Sequence, residues 1–171
     1  MPRTPNPEPT MGVKRILFVC TGNSCRSVMA EGLLRAALAR AGLQHAVTVE
    51  SAGVFAMEGM PPTRETLRVL QDAGIDMSGH RSRTLTMPMV EDTDMLFAME
   101  QFQLEEIVRR APGAKDKAHL LKPHGLPTAD AEGNPNIPDP IGKPLEVYEV
   151  CFSEIKAAVE RVAKSIGVAS T

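Results

Sequence analysis

A cysteine and an arginine stand close together near the start of the chain, in the stretch VCTGNSCRS at residues 19–27. Cys20 and Arg26 have five residues between them, and these include Gly22 and Asn23, which tolerate left-handed backbone angles. A turn of this kind can direct successive backbone amides inward and bind an anion. A guanidinium pairs with two oxygens of a phosphoryl group. The spacing therefore predicts that the Cys20 sulfur attacks a phosphoryl group bound by the same turn.

The surroundings of Cys20 favour the thiolate, which is the reactive form of cysteine. Inward-pointing amides, the start of a helix and the Arg26 charge all stabilise that anion, and the Ser27 hydroxyl could donate a hydrogen bond to it. Two other roles compete with the nucleophile: a buried packing residue after an apolar strand, and a zinc ligand. Zinc needs four ligands, and none of the four histidines shows a paired spacing with the cysteines.

Displacement by sulfur also needs a proton for the leaving group, and Asp139 is the candidate donor. It lies in the sequence IPDPIGKP, where Pro138 and Pro140 flank it and restrict the backbone on either side. A carboxylic acid on a loop that folds over the site could act as general acid. The alternative is that Asp139 and Pro140 only form a turn and cap the following helix, and this feature alone does not separate the two roles.

Alternating strands and helices are predicted to position these residues. The segment 14–20, which is continuously apolar over residues 16–19, is typical of a strand buried on both faces. Helical spacing over residues 27–41 is followed by Gly42, a helix-ending residue. Further segments are predicted as strands at 47–53, 95–100 and 117–121, as helices at 61–75, 101–111 and 145–166, and as mostly loop at 122–144. One side of the last helix is predicted to carry its apolar residues: Val147, Val150, Cys151, Ile155, Ala158, Val159 and Val162. Ligands bind beyond the carboxyl ends of parallel strands, so the turn after the first strand is the expected site.

The composition is that of an ordinary globular protein. The 171 residues are 43% hydrophobic and 23% charged, with a formal net charge of -2, which gives no reason to expect nucleic-acid binding. No apolar run is long enough to span a membrane. Three scattered cysteines do not suggest a disulfide framework, so we expect a cytoplasmic protein. A proline-rich, disordered extension is predicted over residues 1–12 and a single domain over residues 13–168.

Three motifs, VCTGNSCRS, SAGVFA and DPIGKP, occur in this order and resemble those of the low-molecular-weight protein tyrosine phosphatase family. The resemblance implies an α/β fold of three α/β/α layers, with a four-stranded parallel sheet and a phosphate-binding loop after the first strand. It implies that Cys20 is the nucleophile, Arg26 the phosphate clamp and Asp139 the general acid and then the general base. It implies a phosphate-binding loop made of Thr21, Gly22, Asn23, Ser24, Cys25 and Ser27.

Further roles follow from the same resemblance. Asn23 and Ser27 would hold the loop conformation, while Ser51 and His80 would brace it through hydrogen bonds. The reaction would pass through a cysteinyl-phosphate without a metal or another cofactor. A phosphorylated protein is the expected partner, with neither nucleic acid nor membrane, and a monomer is favoured. Cys25 is either a redox residue that caps the oxidised nucleophile as a disulfide or a small loop residue facing the core.

The chain departs from the family pattern at positions that bear on the substrate. Val28 replaces a usual proline, which is a mild change. Ser24 stands where tyrosine-specific members carry a bulky aliphatic residue, and Ile141 and Gly142 stand where they carry aromatics. Ser24 and Phe55 resemble instead the protein-arginine phosphatase branch, which has threonine at the former position. Ser24, Phe55 and Ile141 are thus predicted to line the substrate pocket. Phosphotyrosine and aryl phosphates are the predicted substrates, and phosphoarginine is the alternative; arsenate reduction and non-catalytic phosphopeptide binding are less favoured.

Overall fold

A four-stranded parallel sheet forms the centre of the computed structural model, which describes residues 12–127 and 133–168. Its strands are β1 (Arg15–Cys20), β2 (Thr48–Gly53), β3 (Met95–Ala98) and β4 (Ala118–Leu120), in the spatial order β2-β1-β3-β4. β1 is buried from Ile16 onward, because it has a strand on each side and side chains packed on both faces. The predicted four-stranded parallel sheet is confirmed.

Within the described residues, five α-helices surround the sheet. They are α1 (Arg26–Arg40), α2 (Arg64–Asp72), α3 (Met87–Asp92), α4 (Gln101–Arg110) and α5 (Leu145–Ser165). α1 ends where predicted, since Gly42 takes a φ of 73° that a residue with a Cβ rarely adopts. α3 was not predicted, because a helix of six residues is too short to show a clear apolar period.

Alternate residues of β1 point into different layers, which confirms the predicted α/β/α arrangement. Ile16 and Phe18 pack in the cluster that includes side chains of α1 and α5. Leu17 and Val19 pack in a second cluster with side chains of α3 and α4. Successive side chains of a strand face opposite sides of the sheet, so this single strand joins both halves of the core.

The apolar side predicted for α5 is wrong at two positions. Val147 is 41% exposed and Val150 is 61% exposed. The buried stripe instead comprises Tyr148, Cys151, Ile155, Ala158, Val159, Val162 and Ala163. A helix against one partner buries a stripe of limited width, and the two valines lie on the flank of that stripe.

Some sequence predictions fall outside the described residues. The extension predicted over residues 1–12 does so except for Gly12, and so do residues 128–132 of the predicted loop. Within the ranges that are described, no helix is both long enough and apolar enough to cross a membrane.

Candidate active site

The segment from Cys20 to Ser27, here termed the β1–α1 loop, carries the predicted nucleophile at the carboxyl end of β1. The Cys20 side chain is buried, and its sulfur accepts a hydrogen bond from the backbone N–H of Asn23 at 3.2 Å. Asn23 has a φ of 54° and is the one non-glycine residue with positive φ among those described. Asparagine tolerates this conformation better than most residues, which allows the loop to turn its amide toward the sulfur.

The Ser27 hydroxyl is the second polar group at the sulfur, with Oγ 2.9 Å from Cys20 Sγ. Asn23 Nδ2 donates to this same Oγ at 2.9 Å, which leaves the hydroxyl proton free to point at the sulfur. A thiolate can only accept hydrogen bonds, so in the ionised form Ser27 is the donor. The geometry therefore stabilises negative charge on Cys20 from two sides.

Asn23 is held in turn by groups from two other segments, β2 and residues 80–83. Its Nδ2 also donates to Ser51 Oγ at 2.9 Å, and its Oδ1 accepts from the backbone N–H of Arg83 at 3.0 Å. The Ser51 hydroxyl donates to the buried Glu31 carboxylate at 2.9 Å. His80 Nε2 lies 3.2 Å from the Asn23 carbonyl oxygen. The structure thus brings Ser51 and His80 to the loop, together with Glu31 and Arg83, which were not anticipated.

The chain after β2 is tied to the β1–α1 loop at both ends. The Phe55 N–H donates to the Thr21 carbonyl at 3.0 Å, and the Thr63 N–H donates to the Ser24 carbonyl at 3.2 Å. Gly53 makes this close approach possible, because a Cβ there would overlap the Thr21 carbonyl oxygen. Residues 55–63 therefore form a rim beside the loop.

Arg26 opens α1 and is almost completely buried, with 1% of its surface exposed. Its Nη1 donates to the Glu100 carboxylate and to the Ile137 carbonyl oxygen, the latter at 2.7 Å. Its Nη2 lies 3.5 Å from Asp139 Oδ2. Its Nε is buried and has no hydrogen-bond partner among the described residues. Burying an unsatisfied donor is costly, so this atom marks a place suited to an anionic oxygen.

Two residues at the start of α4 connect Arg26 to the loop, and sequence reasoning missed both. Glu100 is the N-cap of α4, and its side chain forms a capping box with Gln103. The fully buried Gln103 accepts from the Glu100 N–H at 2.9 Å and donates through Nε2 to Thr21 Oγ1 at 3.0 Å. The usual sequence pattern of such a box begins with Ser, Thr, Asp or Asn at the N-cap, so a Glu at this position gives little signal in the sequence.

Asp139 lies beside Arg26 although more than a hundred positions separate the two residues. Its Oδ1 accepts from the Ile141 N–H at 3.1 Å, which closes a local turn. α5 begins only at Leu145 and its N-cap is Pro144, so Asp139 does not cap this helix. The carboxyl group is partly exposed, as a group that exchanges protons with a substrate and water must be.

The predicted pocket residues differ in exposure. Ser24 is half-buried, with its Oγ 3.7 Å from Cys25 Sγ. Phe55 is 62% exposed and Ile141 is 55% exposed. Gly22 lies in the loop between Thr21 and Asn23 and is half-buried. Two exposed apolar side chains therefore stand near a site whose charged residue, Arg26, is buried.

Cys25 faces the core and not the solvent. Its sulfur lies 3.5 Å from Thr63 Oγ1 and 3.8 Å from the Tyr148 hydroxyl. Burial raises the pKa of Tyr148 to about 12, so this phenol stays protonated. Burial likewise raises the pKa of Cys151 on α5 to about 12, which makes it an unreactive packing thiol. All three cysteines are free.

Together these groups suit a displacement reaction at phosphorus. The buried sulfur of Cys20 suits a nucleophile, and Arg26 has an Nε–H without a partner among the described residues, which suits an oxyanion. Asp139 places a carboxyl group 3.5 Å from Nη2 of the same guanidinium. Preorganised donors of this type stabilise charge that develops on transferring oxygens.

Known proteins of similar sequence and structure fit this chemistry. Residues 15–170 match the family described as low molecular weight phosphotyrosine protein phosphatase. A protein-arginine-phosphatase of Geobacillus stearothermophilus is 39% identical over 152 residues, which cover 89% of this chain and 95% of that protein. A low molecular weight protein-tyrosine-phosphatase of Streptomyces coelicolor is 35% identical over 147 residues, covering 84% and 88%. The crystal structure of the tyrosine phosphatase Wzb from Escherichia coli K30 in complex with sulphate superposes with a TM-score of 0.79 at 32% identity, covering 91% of this chain and 99% of that one.

Proposed function

Because this chain belongs to the low molecular weight phosphotyrosine protein phosphatase family, we propose that it dephosphorylates phosphotyrosine on proteins through a cysteinyl-phosphate on Cys20. The observation that carries the proposal is the sulfur of Cys20, which receives the Asn23 N–H and faces the Ser27 hydroxyl. In the same loop, Arg26 has a buried Nε that is unpaired among the residues that the structure describes. Aryl phosphates with good leaving groups are substrates of the same site.

The first step transfers the phosphoryl group to the enzyme. The Cys20 thiolate attacks phosphorus, the S–P bond forms and the bond to the leaving oxygen breaks. Asp139, protonated at this stage, gives its proton to that oxygen, so a neutral tyrosine leaves. Arg26 and the loop amides stabilise the three remaining oxygens, whose charge is spread in the transition state.

The second step restores the enzyme. Asp139, now a carboxylate, takes a proton from a water molecule as that water attacks phosphorus. The S–P bond breaks, inorganic phosphate forms, and the sulfur leaves as a thiolate. The Ser27 hydroxyl, 2.9 Å from the sulfur, stabilises this leaving group. No redox change occurs in either step.

The first experiment compares Cys20→Ser with Cys151→Ser on a phosphotyrosine peptide. Both sulfurs are buried, but only Cys20 lies in the β1–α1 loop. The Cys20 variant should lose measurable turnover, while the Cys151 variant keeps it. Full activity of the Cys20→Ser variant would contradict the proposed mechanism.

The role of Asp139 is tested with leaving groups of different quality. Asp139→Asn should slow hydrolysis of a poor leaving group such as tyrosine by about 10²–10⁴-fold. Activated aryl phosphates, whose leaving oxygens need no proton, should slow much less. Equal losses on both classes would exclude Asp139 as the general acid.

A second substrate, phosphoarginine, is favoured by two features of the sequence. Ser24 is a small hydroxyl residue beside Cys25, and the exposed Ile141 and Gly142, which follow Pro140, provide no aromatic wall for a phenol ring. The protein-arginine-phosphatase of Geobacillus stearothermophilus is among the most similar relatives. Matched peptides carrying phosphotyrosine or phosphoarginine at one position, assayed at equal concentration, decide between them through kcat/KM.

Oxidation of the nucleophile gives Cys25 a proposed second role. Peroxide would convert the Cys20 thiolate to a sulfenic acid with release of hydroxide, and the Cys25 thiol would displace water from it to form a disulfide. Mild peroxide treatment should then inactivate the protein in a way that a thiol reverses. If Cys25→Ala recovers as fully as the unmodified protein, Cys25 does not protect the nucleophile. The three free thiols lead us to propose a reducing cytoplasm, in which Cys20 and Cys25 would stay reduced and the enzyme active.

A further inference from the structure

Phe55 is exposed on one side and supported by a charged side chain on the other. The guanidinium carbon of Arg110 lies 5.6 Å from the centroid of the Phe55 ring, within the range of a cation–π interaction. The Phe55 N–H is bonded to the Thr21 carbonyl of the β1–α1 loop at 3.0 Å. The backbone of Phe55 is therefore fixed to the loop, while its ring packs against Arg110 of α4.

Arg110 is itself held in place by two partners. Its Nε donates to Glu106 Oε1 at 2.7 Å, and its Nη2 donates to the Val54 carbonyl at 3.3 Å. Val54 immediately precedes Phe55, so one guanidinium contacts both the backbone and the ring of the same segment. Hydrogen bonds to Arg109 and then to Arg110 lower the pKa of Glu106 to about 2, so the carboxylate remains charged at neutral pH.

We propose that Arg110 is a positioning residue that sets the orientation of the Phe55 ring as a wall of the substrate pocket. This inference rests on the proposed function, because Phe55 meets a substrate only if the β1–α1 loop binds its phosphoryl group. A ring of 62% exposure without support would move among several rotamers. Holding it in one orientation reduces the entropy that substrate binding must remove.

Arg109 provides a matched control on the same helix. It also binds Glu106, through Nε at 3.0 Å and Nη2 at 2.6 Å. Arg109 is exposed, and within the described part of the chain it makes neither a hydrogen bond to Val54 nor a cation–π contact with Phe55. Arg109→Met and Arg110→Met therefore remove the same charge and the same ion-pair partner, and differ in the support of Phe55.

The kinetic test uses a phosphotyrosine peptide, and inorganic phosphate as a competitive inhibitor. Arg110→Met should raise KM for the peptide by about 2- to 5-fold, the effect of losing one exposed cation–π contact. The kcat and the inhibition constant of phosphate should stay unchanged, since phosphate contacts only the β1–α1 loop. Arg110→Lys, which keeps the cation, should recover part of the loss, and Arg109→Met should change nothing.

A double substitution separates positioning from a direct effect of charge. If Arg110 acts through the ring, Arg110→Met should have no further effect on KM in a Phe55→Ala background. Additive effects, or equal effects of Arg110→Met and Arg109→Met, would overturn the proposal.

The orientation of the ring is also measured without turnover. Carbon–proton NMR spectra of the Phe55 ring, assigned with Phe55→Leu, should shift and broaden in Arg110→Met and not in Arg109→Met. An unchanged Phe55 signal overturns the inference whatever the activity. If the unmodified protein hydrolyses neither phosphopeptide, the proposed function fails, while the NMR comparison still decides whether Arg110 positions the ring.

Discussion

Substitutions of Asn23 separate the contribution of its side chain from that of its unusual backbone. The side chain makes three hydrogen bonds, to Ser27 and Ser51 at 2.9 Å each and from the Arg83 N–H at 3.0 Å. It is fully buried, so water cannot replace these bonds. Each contributes about 1 kcal/mol, or about 3 kcal/mol together.

The backbone adds a second cost that depends on the new residue. At a φ of 54°, glycine is unstrained, whereas a residue with a Cβ loses about 1–2 kcal/mol. Asn23→Gly should therefore lower the free energy of unfolding by about 3 kcal/mol, and Asn23→Ala by about 1 kcal/mol more. Both variants should also lose most phosphatase activity, because the Asn23 N–H that donates to Cys20 Sγ would no longer be held in place.

Urea unfolding followed by circular dichroism measures the stabilities, since the chain contains no tryptophan for fluorescence. Asn134→Ala is the control. This asparagine is exposed, and among the described residues its side chain accepts only from the nearby Asn136 N–H. The substitution should lower the free energy of unfolding by no more than about 0.5 kcal/mol. Equal stability of Asn23→Gly and Asn23→Ala would refute the argument from backbone strain. A loss below about 1 kcal/mol in both would refute the hydrogen-bond estimate.

Three further predictions concern other parts of the molecule. Gly53→Ala should lower stability by about 1–3 kcal/mol in urea unfolding and also reduce kcat/KM, because its Cβ would displace the Thr21 carbonyl of the β1–α1 loop; an unchanged kcat/KM would contradict this. Ser27→Ala should lower kcat by about 10- to 100-fold, as expected for one lost hydrogen bond to an anion, and steady-state kinetics with less than 2-fold loss would argue against it. Burial lowers the pKa values of His119 and His124, so both bind protons more weakly in the folded chain than in the unfolded chain. Their contribution to the free energy of unfolding is complete above the unfolded pKa of about 6.5 and is lost as pH falls below it. His124→Gln should therefore reduce the fall in unfolding free energy between about pH 7.5 and about pH 5, and an identical fall in both proteins would show that this histidine does not cause it.

The parts of the site that could be predicted are those whose residues lie close together in the sequence. Cys20 and Arg26 belong to one short turn between a strand and a helix, so their proximity follows from the two elements alone. Asp139 needed the family resemblance, because nothing in its own neighbourhood fixes where its loop lies. The resemblance is confirmed by the family match and by the relatives, and the structure brings Asp139 to 3.5 Å from Arg26.

The parts that were missed depend on contacts between distant segments. Glu100 is 74 positions from Arg26 and Gln103 is 82 positions from Thr21, and nothing near either residue in the sequence links it to the β1–α1 loop. The alignment of their capping box with that loop arises only when β3 pairs with β1. The exposure of Val150 was predicted wrongly for the same reason, because it depends on how wide a stripe of α5 the neighbouring segments cover.

The strand that ends at Cys20, β1, is an interior strand of the sheet and pairs with β2 on one side and with β3 on the other. Central buried strands exchange their amide protons only when the whole domain opens, and they resist local fraying. Cys20, the proposed nucleophile, is thus anchored to a strand that is among the last parts of the fold to open. On heating, its sulfur should therefore keep its place until the sheet itself unfolds.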